Sequence, residues 1–126
     1  MPKREIIEIP GLAHGAPIPM GAKIGNTVHS SAISGKNAKT QELPPDPDTQ
    51  ATVLFDNIRT FMELAGGTPD DIIHMSVYMK EEEYRDSINK AWLAMFPDEH
   101  NRPARHAITL PLRGQILFQI EVVAEL

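Results

Sequence analysis

Arg105 is the side chain in this sequence best suited to gripping an anion. It stands in Pro103-Ala104-Arg105, at the mouth of a short β-like run that ends near Leu110. Its guanidinium offers a planar fork of donors that matches a carboxylate bidentately and stays charged at any working pH. Alone, such an arginine is more often half of a surface ion pair worth little. Downstream, the chain from Gln115 to the C-terminus alternates. Ile116, Phe118, Ile120, Val122 and Ala124 fall on one face, and Gln115, Leu117, Gln119, Glu121, Val123 and Glu125 on the other. The second face is the one expected to carry chemistry. Glu121 can serve there as a general acid or base, or simply as a salt-bridge partner. Gln119 can orient a water but cannot take its proton.

Other polar groups widen the choice. Ser31 lies on the more polar face of a strand, where its hydroxyl can donate to a carboxylate, hold water, or close a bond within the sheet. Asn89 falls in a predicted helix, where asparagine is a mediocre former; it is read as a tertiary contact or as an exposed polar residue. His14, His29, His74, His100 and His106 show no His-x-x-x-His or related ligand spacing, so no metal is expected. His106 adjoins Arg105 but points to the other strand face. His29 and His74 share faces with Ser31 and Ser76, and could make an assembly pH-sensitive if those faces meet in its interior.

The elements that must position these groups are set by patterning. Glu5 to Ile9 is a strand candidate ended by Pro10-Gly11, and Leu12 to Gly21, with Gly15, Pro17 and Pro19, is a stiff connector. Ala22 to Ile33 reads as two strands around Gly25-Asn26, with Thr27, His29, Ser31 and Ile33 on one face. Gly35 to Pro47 is loop. A helix capped by Asp48 or Thr49 runs to about Ala65, burying Ala51, Leu54, Phe55, Ile58, Phe61, Met62 and Ala65. Gly66-Gly67 and Pro69 end it. In Asp71 to Lys80 the face Ile73, Met75, Val77 and Met79 should meet the helices, leaving Ile72, His74, Ser76, Tyr78 and Lys80 on the other. Glu82 to Phe96 is a second amphipathic helix, burying some of Tyr84, Ile88, Ala91, Trp92 and Met95.

This order predicts an α+β fold, a mixed β-sheet with two helices packed on one face. The opposite face, mixing Ile33, Ile72, Leu117 and Val123 with polar groups, is expected to be covered in a closed homo-oligomer. At 126 residues without a composition break the chain reads as a single domain, 1–126. A net charge of −5 with no basic stripe argues against a nucleic-acid partner. The chain has no cysteine, which excludes disulfides, thiolate metal sites and thiol nucleophiles. No apolar run approaches the ~20 residues of a membrane span, and Met-Pro-Lys-Arg-Glu is unlike a signal peptide. A cytoplasmic protein without a membrane partner is the expectation.

Four stretches together resemble one family. They are Pro17 through Gly25-Asn26 to Ser31; Asp71-Ile-Ile-His-Met-Ser-Val-Tyr-Met-Lys80; Ile88-Asn-Lys-Ala-Trp-Leu-Ala-Met-Phe96; and Pro103-Ala-Arg105 with Gln119-Ile-Glu-Val-Val-Ala124. In order and spacing they resemble the RidA/YjgF reactive intermediate deaminases over nearly the whole chain. The resemblance implies a chorismate-mutase-like fold, homotrimeric with a central barrel and with clefts between subunits. It also implies hydrolysis of small enamines or imines such as 2-aminoacrylate to 2-keto acids plus ammonia, without a cofactor. By the same resemblance Arg105 holds the substrate carboxylate, and Ser31, Asn89 and Ile18 line the cleft; main-chain groups near Arg105 and Ala107, with Gln119 or Glu121, are expected to place the water. Two positions depart from the family pattern. Gln119 stands where active members typically carry glutamate, and Ile18 where a tyrosine often stands. The spacing from Arg105 to the closing motif is also about one residue short. The sequence leaves three readings: a deaminase, with an amino-dienoate such as 2-aminomuconate as one substrate variant; a non-catalytic trimer that binds small carboxylates or acts as a holdase; and a ribonuclease, which the acidic charge argues against.

Overall fold

Pro47–Ala65 forms the first helix, α1, in a computed structural model that describes residues 3–126. It starts earlier than the expected Asp48 or Thr49. Asp46 is the cap, its carboxylate accepting from the amide and the hydroxyl of Thr49 at 2.9 Å each. Pro47 takes the first helical position, where a missing N–H is harmless and a fixed φ suits the helix. Gly66 closes the helix at φ 96°, a left-handed conformation that glycine adopts without steric cost. Leu54, Ile58, Phe61 and Met62 are fully buried beneath it. The second helix, α2, spans Arg85–Met95; the turn before it, Glu82–Tyr84, is the tighter 3₁₀ form. Ile88 and Trp92 are its buried apolar side chains.

Seven strands make one sheet: β1 Glu5–Ile7, β2 Gly21–Ile24, β3 Thr27–Ser30, β4 Ile33–Ser34, β5 Ile72–Met79, β6 Ala104–Thr109 and β7 Phe118–Glu125. The order is β1-β2-β3-β7-β5-β6, with β4 also paired to β7. Only β5 and β6 run parallel, so the sheet is mixed and the α+β expectation holds. Phe118, Ile120, Val122 and Ala124 of β7 all lie in the core under the helices, as their alternation predicts.

Two one-residue irregularities correct the sequence reading. Along β7 the pairing runs from His29↔Val123 on β3 to Ile33↔Ile120 on β4, four residues set against three. The extra residue turns Ile33 inward, where it is fully buried. The Ser30 hydroxyl fills in at the break by accepting from the Val122 amide at 2.8 Å. In β5 the register jumps from Ile72↔Ala124 to His74↔Val123. This bulge puts Ile72 in the core at 5% exposure and leaves Ile73 52% exposed. A period-2 reading inverts both positions, because one added residue flips every side chain beyond it. Leu117 precedes β7 and packs partly against the core. Of the four residues assigned to the open face, Val123 alone belongs there, flanked by His29 and His74. The exposed isoleucines Ile6, Ile24, Ile73 and Ile108 give that face its apolar character.

The two helices are joined by polar contacts at their starts. Asp48 accepts from the Ser87 hydroxyl at 2.5 Å and from the Lys90 ammonium at 2.9 Å. These bonds, Ser87 first and Lys90 second, hold the Asp48 carboxyl below its ordinary value of 3.8. A lowered folded-state value means stability that is present above the ordinary carboxylate range and lost as the pH falls through the folded value. Urea unfolding of Asp48→Asn is therefore expected to lie below wild type at about pH 7, with the gap closing towards about pH 3.

Candidate functional site

A guanidinium placed among apolar side chains is costly unless something compensates its charge. Arg105 on β6 is in this position. Its Nη2 donates to the Asn89 side-chain oxygen at 2.9 Å, and its Cζ lies 4.9 Å from the centre of the Trp92 ring. Asn89 and Trp92 are three residues apart and so share one face of α2. Nη1 is buried and meets no acceptor, and no Asp or Glu among the described residues pairs with this arginine. Burial, with Arg85 adding repulsion, pulls its pKa below the ordinary arginine value. The result is a half-buried cation whose fork has one side held by Asn89 and the other buried without an acceptor.

The register of the sheet divides the predicted residues between two faces. Arg105 is opposite Met75 and Ala107 opposite Val77, and both partners lie in the core. Gln119 is opposite Tyr78 and Ser34, and Glu121 opposite Ser76, on the face away from the helices. Arg105 and Ala107 therefore occupy one side of the sheet, with Asn89 above them, and Gln119 and Glu121 the other. A single chain does not bring the two groups together.

On its own side Gln119 lines a pocket of about 200 Å³, with Leu12, His14, Met20, Ser34, Lys36 and Ile116 among the other walls. Its roof is the connector, which is stiff for local reasons. Gly11 adopts φ 87° hard against Ala38, whose carbonyl oxygen would lie 2.4 Å from any added Cβ. Gln41 donates to the Gly11 carbonyl at 2.8 Å, and Glu8 accepts from the Met20 amide at 2.8 Å. Held in this way, His14 presents a buried Nε2 that has no hydrogen-bond partner. A larger concavity of about 690 Å³ lies between residues 37–45 and Gln115, but Glu42 is the only charged side chain lining it.

The other predicted residues have more settled surroundings. Ser31 donates its hydroxyl proton to the Pro19 carbonyl at 2.8 Å, so that oxygen is left as an acceptor and not as a donor to a carboxylate. Ile18 is 49% exposed on the connector. Glu121 accepts from the Tyr78 hydroxyl at 2.7 Å; this bond above all raises the Tyr78 pKa and keeps its proton in place. His106 shares the open face with Ser76. No group of three His, Cys, Asp or Glu among the described residues could hold a metal ion. None of their helices is long and apolar enough to cross a membrane.

The sequence pattern of the family described as Endoribonuclease L-PSP matches residues 13–126. The 2-iminobutanoate/2-iminopropanoate deaminase of Escherichia coli K12 is 32% identical over 111 residues, 86% of either chain. The chain belongs to the RidA/YjgF family of reactive intermediate deaminases. Solved structures agree. RidA from the Antarctic bacterium Psychrobacter sp. PAMC 21119 superposes with a TM-score of 0.89 at 27% identity, covering 97% of this chain and 99% of that one. Escherichia coli TdcF with bound serine gives 0.88 at 25% identity, covering 97% and 98%.

Within this RidA-type framework, sequence reasoning misses two neighbours of the candidate residues. Periodicity assigns Trp92 only to the core, although its three-residue offset from Asn89 signals a shared face. Residue spacing leaves His14 a structural role, and nothing periodic in the connector reveals its place beside Gln119. The Arg105–Asn89 contact makes a specific statement about charge. Asn89→Asp would set a carboxylate where the amide oxygen now sits and give the guanidinium a permanent counter-ion. Calorimetric affinity for pyruvate is expected to fall at least about tenfold, since hydrogen bonds to charged groups contribute roughly 1.5–3 kcal/mol.

Proposed function

We propose that this protein hydrolyses small carboxylate-bearing imines and enamines to 2-keto acids and ammonia. The observation that carries the reading is Arg105, a half-buried cation with one unpaired donor and no acid of its own. The substrate carboxylate takes the vacant side of the fork, and the imine carbon is thereby fixed for attack by water. The Escherichia coli relative bears the name of such a deaminase. Serine, the ligand named with TdcF, has the same carboxylate and α-nitrogen.

The second part of this reading is assembly. Arg105, Asn89 and Ala107 lie across the sheet from Gln119. A cleft containing both sets is built where β6 of one copy meets the connector and β7 of another. A closed homotrimer with its sheets inward provides three such clefts and covers Ile6, Ile24, Ile73 and Ile108. The departures at Ile18 and Gln119 fit a different substrate, an amino-dienoate among the candidates.

Gln119 favours a second reading, a trimer that binds small carboxylates without turnover. Binding of pyruvate by calorimetry with no ammonia released from any imino acid would select it. A ribonuclease role is disfavoured by the net charge of −5. Ammonia release from 2-aminoacrylate, generated in the assay, tests the leading reading. Arg105→Ala is expected to lower kcat/KM by about 100-fold or more, the effect of losing two charged hydrogen bonds. Clearance by that variant at the wild-type rate would refute the assignment.

A further inference from the structure

Hydrolysis of an imine needs a group that takes a proton from water and returns it to nitrogen, and Gln119 can do neither. The pocket that Gln119 lines contains one side chain that can. His14 is among the residues that line the pocket, and its Nε2 is buried without any hydrogen-bond partner. The other groups are unsuited. The Lys36 ammonium donates but has no lone pair, and the Ser34 hydroxyl is too weak a base. Glu121 is outside the pocket lining and already accepts from Tyr78.

We propose that His14 is the proton carrier of this site, taking over from the connector the work that a carboxylate at position 119 would do. The proposal rests on the deaminase reading above. Gln119 orients the water. The water oxygen bonds to the carbon of the protonated imine while Nε2 accepts one of its protons, giving a carbinolamine and a protonated ring. The ring then returns that proton to the amine nitrogen. The C–N bond breaks with its electron pair on nitrogen, and ammonia departs. The hydroxyl gives its proton to the ring as the keto oxygen forms, and the ring releases that proton to solvent.

The test compares wild type, His14→Gln and the double variant His14→Gln/Gln119→Glu in ammonia release from 2-iminopropanoate, across pH, with pyruvate binding measured alongside. The proposal expects wild-type kcat to show an acid limb, and His14→Gln to lack it and to lose about 100-fold in kcat with KM and pyruvate affinity little changed. It expects Gln119→Glu to restore most of the lost rate. Wild-type kcat in His14→Gln overturns the proposal, and so does a slow variant that keeps the wild-type pH profile and is not rescued by Gln119→Glu. If wild type itself releases no ammonia, the deaminase reading fails first and the role of His14 falls with it. Should His14→Gln bind no pyruvate, Gln119→Glu in the otherwise unchanged chain decides. An acid limb moved to lower pH supports the proposal, and an unmoved one overturns it.

Discussion

An arginine that faces into protein without an acid beside it imposes a requirement on everything around it. Arg105 is tolerated because Asn89 takes one of its donors and the Trp92 ring lies against its face, contacts that ease desolvation without cancelling the charge. Both partners come from α2, the helix that connects β5 to the parallel strand β6. A parallel pair needs such a crossover. The same unit that places Arg105 at the start of an edge strand thus carries its supports over it, and this half of the candidate site is built from about forty consecutive residues.

The other half is assembled differently. Gln119 comes from β7, Ser34 from β4 and His14 from an irregular connector, all far apart in sequence. Their relative placement depends on register, on the pinning of Gly11 against Ala38, and on the extra residue between β3 and β4. The two halves face away from each other across β5. The geometry within each half is fixed by one chain, and that chain does not bring the two together.

This division also explains what the sequence reveals. Arg105 is singled out by residue chemistry and Asn89 by the family resemblance, while the buried stripes of α1 and β7 are legible from periodicity and lie where it puts them. Ile33 and Ile72 are not, because a bulge adds a residue without any compositional mark and reverses the phase of the strand beyond it. Asp48 and Thr49 suit a helix cap as well as Asp46 does by residue type, and only Pro47 at the first helical position singles out Asp46. His14 is invisible for a different reason: its environment is made by tertiary contacts around Gly11 and Gln41, and a connector has no period from which to read a direction.

One buried amide links these parts. Gln50 of α1 has no solvent exposure. It donates to the carbonyls of Pro44 at 2.8 Å and Gln115 at 3.3 Å, and accepts from the Leu117 amide at 2.8 Å. The lead-in to Gln119 is thereby riveted to the longest helix, so the Gln119 wall of the pocket and α1 must travel together as one rigid body. The connector bearing His14 has no such tie to a helix and is held by the contacts of Gly11 and Gln41. Slow deuterium uptake at the Leu117 amide is the signature of that rivet.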